Sequence, residues 1–312
     1  MSVRGTEVGR VFKKMIKKLW RRIGAALGLS LLVGNVPAEA RAPQPAKPAL
    51  WQVSDADTTI YLFGTIHLLP ANYQWRTARF DQAMARSQEL VVETIVDEKD
   101  PTKLMSALTS LAFNSKNLPP LLSRVPPAKR AALAEAVKKS GMPMQALDRM
   151  ETWAAAFILL GNKFREIGLS GGVEGVLRND FSTKGKRVGE LESNVEQLAF
   201  FDKLPEDAQR SLLEGAIEET KDMDSYFGGM LRSWSRGDVR GIARTFDQDL
   251  SSSPELQKAL IKERNANWSR WIEQRMDKPG AVMIAVGAGH LAGKDSVLEL
   301  LQQGGYKVRR LQ

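Results

Sequence analysis

The chain has two histidines in 312 residues, and both stand in the same local setting. His67 closes "LFGTIH", Leu62 to His67, and His290 closes "AVGAGH", Ala285 to His290. Each follows a glycine by three positions at the end of an apolar run. Glycine fills 25 of the 312 positions, so chance seldom puts one at that distance before both. Either histidine alone would read as a hydrogen-bonded core residue after a strand. The matched pair points instead to one shared site.

Two imidazoles are natural ligands for a divalent first-row metal, and Mn²⁺, Co²⁺ and Zn²⁺ are all chemically acceptable. There is no cysteine and no third histidine, so a further protein ligand is expected to be a carboxylate. That gives a His₂Glu type of donor set, which keeps one position open. Glu93 sits in "LVVETI", inside an apolar run where a charge is costly unless paired. Glu190 and Glu192 in "GELES" are two apart, so on a strand they share a face. Glu192 is nearer the expected strand end and is the favoured one of the two.

Strands must carry these groups. "TTIYLFGTIH" from Thr58, "ELVVETI" from Glu89, "KRVGELE" from Lys186 and "AVMIAVGAGH" from Ala281 all have strand-like composition. The last is apolar throughout, as a strand buried on both faces should be. "YKVRRLQ" from Tyr306 reads as a closing strand. Helices are expected over Arg76 to Gln88 and Ser296 to Gln303. Helical spacing also fills Pro101 to about Gly185 and Val195 to Lys278. The expected fold is α/β: a central mixed sheet formed from both ends of the mature chain, with a long helical insertion over about 101–278. Parallel, adjacent strands ending at His67 and His290 would bring both rings to the carboxyl edge of the sheet, where ligands bind. Glycine near a strand end permits the close approach this needs.

Residues 1–40 read as a secretory signal peptide: eight basic side chains up to Arg22, the uncharged "IGAALGLSLLVGNV", then the small residues of "PAEA". The apolar part is shorter than the ~20 residues that span a bilayer, so no stable transmembrane segment is expected after cleavage. Residues 41–50, "RAPQPAKPAL", read as a proline-rich linker, and residues 51–312 as the functional domain. Removing the signal takes away eight basic and two acidic groups, so the +9 of the whole chain becomes +3. The high pI therefore belongs to targeting and gives no case for nucleic-acid binding. The expected location is outside the cytoplasm, periplasmic or secreted. "GLSGG", Gly168 to Gly172, fits a nucleophile-elbow pattern, but helical residues precede it, so a helix C-cap and turn is expected. Trp234, Trp268 and Trp271 are expected to pack in the core.

"LWQVSDADTTIYLFGTIHLLP", "LVVET", "GELESNVEQL", "ERNANW" and "IAVGAGHLAGKDS", in this order, resemble the TraB/PrgY/GumN family, which is related to the Tiki metalloproteases. The resemblance runs from about Leu50 to Leu311. It implies an α/β fold and a metal-dependent, peptidase-like hydrolase acting on a peptide or protein. It places the two family histidines on His67 and His290, the strand-end glutamate on Glu93, and the next glutamate on Glu192, followed by Gln197. The "ERN" segment falls on Glu263, Arg264 and Asn265. On this reading His67, His290 and Glu93 hold the metal, which would acidify a bound water. Glu192 would take and pass on a proton. Arg264 would hold a substrate carboxylate or an oxyanion, although helical spacing alone would put Arg264 and Asn265 in surface salt bridges. The alternative is a non-catalytic periplasmic or extracellular protein of the same fold that binds a peptide or other ligand in this cleft.

Overall fold

The computed structural model describes residues 46–70, 72–96, 102–113, 118–166, 169–217, 220–250 and 257–312. The expected signal peptide and the first half of the expected linker, residues 41–45, lie outside the described residues. Eight strands are present among these: β1 Leu50–Ser54, β2 Thr58–Thr65, β3 Leu68–Pro70, β4 Glu89–Val92, β5 Leu169–Gly171, β6 Arg187–Glu190, β7 Gly280–Gly287 and β8 Val308–Arg310. Six form a mixed sheet in the order β6-β4-β7-β2-β1-β8. The fold is α/β, and both ends of the described chain feed one sheet, as expected. β2, β7, β4 and β6 run parallel, while β1 pairs antiparallel with β2, and β8 pairs antiparallel with β1.

The sheet is covered on both faces, and the alternation of β2 shows how. Ile60 and Leu62 join Val282, Ile284 and Val286 of β7 in a core closed by Trp268, Ile272 and Met276 of the helix Glu263–Met276 and by Val297 and Leu301. Phe63 points to the other face and packs on Phe80, with 4.5 Å between ring centres, and on Trp75 and Trp234. Strands buried on both faces need apolar residues at every position, which explains why "AVMIAV" shows no alternation.

The chain forms two compact units. Among the described residues, a helical unit takes those within 97–167 and 194–226, and the sheet unit takes those within 46–96, 168–193 and 227–312. The middle of the chain is helical as expected, and its described helical residues 227–250 and 257–276 group with the sheet unit. In the helical unit, Thr152–Glu166 packs on Glu206–Ala216, and Thr102–Ala112 on Asn194–Asp202. Among the described residues no helix is long and apolar enough to cross a membrane.

The chain enters the fold before the expected linker ends: Ala46, Pro48 and Ala49 are buried, and Lys47 N–H donates to Ser235 O at 2.6 Å. Leu50 already opens β1. Gly168, the C-cap expected in "GLSGG", lies outside the described residues. Leu169–Gly171 of that segment pairs antiparallel with Leu68–Pro70, and Gly172 is the N-cap of the helix Val173–Thr183. Ser170 lies opposite Leu69 within that two-stranded pair rather than on the turn into the helix, so it does not form a nucleophile elbow.

Candidate functional site

Four neighbouring parallel strands each deliver one polar side chain just beyond their carboxyl ends. In sheet order these are Glu192 after β6, Glu93 after β4, His290 after β7 and His67 after β2. The pairing of β2 with β7 sets Gly64 opposite Val286 and Thr65 opposite Gly287, so the two glycine–histidine turns leave the sheet side by side. Gly64 allows this close approach, since a Cβ on it would lie 3.1 Å from Ala288 Cα and press on it. All four side chains are buried, His290 and Glu93 at 1% and 2% exposure.

At the centre of the group is a fifth residue, Arg264, which is fully buried. Its helix buries Arg264, Asn265, Trp268, Ile272 and Met276, a stripe at helical spacing that faces the sheet. The stripe is apolar over most of its length and polar in its first turn, where it reaches the strand ends. Arg264 Nη2 donates to Glu93 Oε2 at 2.9 Å and to Glu192 Oε2 at 2.8 Å. Its Nε lies 3.0 Å from both oxygens of Glu192. Trp268 Nε1–H donates to Glu192 Oε1 at 3.0 Å. Glu93 Oε1 accepts the Gly287 N–H at 2.6 Å.

These contacts set the electrostatics. Burial alone would raise the pKa of Glu93, but the adjacent Arg264 guanidinium and the Gly287 N–H help hold it down to about 2. For Glu192 burial prevails over Arg264, and its pKa is raised. Burial, reinforced by the charge of Arg264, lowers His290 to about 3, so this ring is neutral near pH 7.

The orientation of each ring follows from its Nδ1. Asn265 Nδ2 donates to Asp295 O at 2.8 Å, which turns Oδ1 of the amide towards His290 Nδ1 at 2.7 Å. Nδ1 of His290 therefore carries the hydrogen, and the lone pair is on Nε2, 3.9 Å from Glu93 Oε1 and 3.2 Å from Arg264 Nη1. Trp268 backs this ring, with 4.4 Å between centres. On the other ring, His67 Nδ1 lies 2.8 Å from Glu174 Oε1, and His67 Nε2 is 4.0 Å from Glu93 Oε1.

So both Nε2 atoms flank one carboxylate oxygen. In chemistry this donor set suits a divalent ion: two imidazole nitrogens, a carboxylate held ionised, and second-ring nitrogens tied to a carboxylate and an amide. It is wider than a closed shell, since tetrahedral bonds of ~2.1 Å put neighbouring donors about 3.4 Å apart. Among the described residues no group of three or more His, Asp or Glu side chains forms a ready-made ion cage.

The structure thus gathers His67, His290, Glu93, Glu192, Arg264 and Asn265 into one place. The surface position that helical spacing suggested for Arg264 and Asn265 does not hold, for both are 0% exposed. Arg264 is taken up by Glu93 and Glu192, so a substrate carboxylate could reach it only by displacing one of them. Glu190 is exposed and accepts the Ile95 N–H at 2.6 Å, away from Arg264. Glu263 is exposed and pairs with Lys258. Gln197 lies on Asn194–Asp202 of the helical unit. Sequence reasoning missed Glu174 and the indole N–H of Trp268. An acid in the first turn of a helix that opens with a glycine pair was the available signal for Glu174.

Comparison with known proteins gives a family and distant relatives. The model of the TraB/PrgY/gumN family matches residues 49–310. The chain is 24% identical over 258 residues to the uncharacterized protein YbaP of Escherichia coli (strain K12), covering 82% of this chain and 92% of that protein. It is 23% identical over 317 aligned residues to the Metalloprotease TIKI homolog of Amphimedon queenslandica, covering 84% of this chain and 61% of that longer protein. No solved structure matches.

Proposed function

The chain belongs to the TraB/PrgY/gumN family, and from that premise we propose that it is an exported, divalent-metal-dependent hydrolase of peptide bonds. The observation that carries the reading is the aim of His67 Nε2 and His290 Nε2 at the same oxygen, Glu93 Oε1. The distant similarity to a protein named as a metalloprotease supports it, and the basic-then-apolar residues 1–40 support export.

In this reading His67, His290 and Glu93 hold the ion. A bound divalent ion supplies Lewis-acid polarisation of a carbonyl and lowers the pKa of water. The chain's own residues supply the rest. Glu93 stays ionised and tied to Arg264. The buried carboxyl of Glu192, with its raised pKa, accepts a proton from water and returns it to the leaving amine, so water is divided across the cleaved bond. Arg264 acts by fixing Glu93 and Glu192 relative to each other, and Asn265 by keeping the Nε2 lone pair of His290 turned inward.

The rival reading is a ligand- or peptide-binding protein without turnover. It is favoured by Arg264 Nη1, which already presents a cation 3.2 Å from His290 Nε2. Titration of mature protein with Zn²⁺, Mn²⁺ and Co²⁺, beside cleavage of a diverse peptide library, decides between them. The hydrolase reading expects uptake of about one ion per chain, cleavage that needs it, and loss of both in His67→Ala and His290→Ala. Uptake without cleavage favours the binding protein, and no uptake by folded protein overturns the metal site. Export predicts an exported form beginning near Arg41, and intact chain confined to the cytosol contradicts it.

A further inference from the structure

We propose that Glu174 is a positioning residue of this site: it fixes the tautomer and the aim of the His67 ring, and Gly172 is what lets it reach. The inference deepens the metal-site reading and rests on it only for the affinity arm of the test below.

The segment "GGVEG", Gly171 to Gly175, meets the His67 turn at three successive points. Leu68 pairs with Gly171, and Val173 N–H donates to Ile66 O at 3.1 Å. Between them Gly172 lies against the backbone of His67 itself. A Cβ on Gly172 would stand 2.2 Å from His67 O, 2.4 Å from its C and 2.5 Å from its Cα, so any other residue would push the segment off. The helix Val173–Thr183 starts from this contact with Glu174 in its first turn, where its N-terminal end favours a negative charge. Glu174 Oε1 then lies 2.8 Å from His67 Nδ1 and also accepts the hydroxyl of Thr65, the residue two before His67.

A carboxylate oxygen only accepts, so Nδ1 of His67 carries the hydrogen, and in the neutral ring the lone pair is left on Nε2, on the side of Glu93. Asn265 does the same for His290 with an uncharged amide. The two rings are therefore held alike but by different partners, a carboxylate behind His67 and an amide behind His290, the kind of groups that orient metal-binding histidines.

The two histidines make this easy to read, because metal-free mature protein labelled with ¹⁵N-histidine shows only their four ring nitrogens. Wild-type protein should show hydrogen on Nδ1 and none on Nε2 for His67. Glu174→Ala should turn the His67 signals into a mixture of tautomers while those of His290 stay in place. Glu174→Gln, whose amide oxygen still accepts, should keep the hydrogen on Nδ1. Zn²⁺ affinity should fall about 10–100-fold in Glu174→Ala and less in Glu174→Gln. If wild-type His67 carries its hydrogen on Nε2, or if Glu174→Ala leaves both tautomer and affinity unchanged, the proposal is overturned. Should Glu174→Ala fail to fold, Glu174→Gln decides: Nδ1–H retained with weakened Zn²⁺ binding supports the proposal, and a hydrogen moved to Nε2 or unchanged affinity overturns it. A wild-type protein that takes up no Zn²⁺ sinks the metal-site reading, while the ring spectra of Glu174→Ala and Glu174→Gln still judge Glu174.

Discussion

Each of the two units buries an arginine, and they are held in opposite ways. Arg124 in the helical unit is 2% exposed and donates to backbone carbonyls: Nε to Pro119 O at 2.8 Å, Nη1 to Met150 O at 2.7 Å, and Nη2 to Asp148 O. Arg264 in the sheet unit is 0% exposed and sits between two carboxylates and an imidazole. Burial lowers the pKa of Arg124. For Arg264, burial is outweighed by Glu93 and Glu192, and the pKa is raised. One guanidinium ties neutral dipoles of the main chain into a fixed turn. The other gathers ionisable groups that could not stay together without it. Equal burial therefore says little about role, and the chemistry of the partners says more.

The contrast is broken most severely at Arg264. Arg264→Met leaves Glu93 and Glu192 buried beside each other without the guanidinium between them, and should cost about 3–5 kcal/mol in urea unfolding, with loss of any hydrolytic activity. A loss near zero would show that the carboxylates do not depend on it. Arg124→Met abandons three carbonyls and the Thr152 hydroxyl, and takes a nearby charge from Glu206, Asp148 and Glu151 without breaking a direct ion pair to them. Its expected cost is smaller, about 1–3 kcal/mol, with faster hydrogen exchange around 119–124 and 148–152 and the His67 and His290 signals unmoved. Changed ring signals in that variant would mean that the two arginines are not independent.

The mildest effect is a slope with pH. His290 has its pKa lowered to about 3, from an ordinary 6.5 that the unfolded chain regains. The unfolded chain thus binds a proton first as pH falls. The stability this ring contributes is complete above pH 6.5 and lost progressively between 6.5 and 3, by at most ~1.4 kcal/mol per pH unit. Glu93, lowered to about 2 from 4.5, adds a second loss between those values. His290→Gln should flatten the upper limb in denaturant titrations from pH 7 to 5, whereas an unchanged slope would assign it to other groups. The helical unit, with neither histidine, should show no such limb.

The sheet was readable because its signals are local. A run such as "AVMIAVGAGH" carries its burial in its own composition, and the paired glycine–histidine turns announced themselves by repetition. The helix stripe was half readable: the four-residue steps from Met276 back through Ile272 and Trp268 continue to Arg264, which places it on the buried face. What could not be read were partners supplied by the fold. Arg264 meets Glu93 across 171 positions of sequence, and Glu174 meets Thr65 across 109. No periodicity spans such distances. β1 was overlooked because proline-rich "RAPQPAKPAL" runs straight into it, and the Leu169–Gly171 strand because three residues are too few to establish alternation.

One consequence follows from the placing of Glu192, Glu93, His290 and His67 on four separate strands. No single strand with its following turn carries more than one of them, so the centre exists only as a property of the assembled sheet. Its weakest member is set by position at the border: β6 has four residues, one sheet neighbour and two exposed side chains, Arg187 and Glu190. Fraying of that border releases Glu192 first and deprives Arg264 of one of its two counter-ions, so the site is dismantled from its rim inward before the inner strands separate.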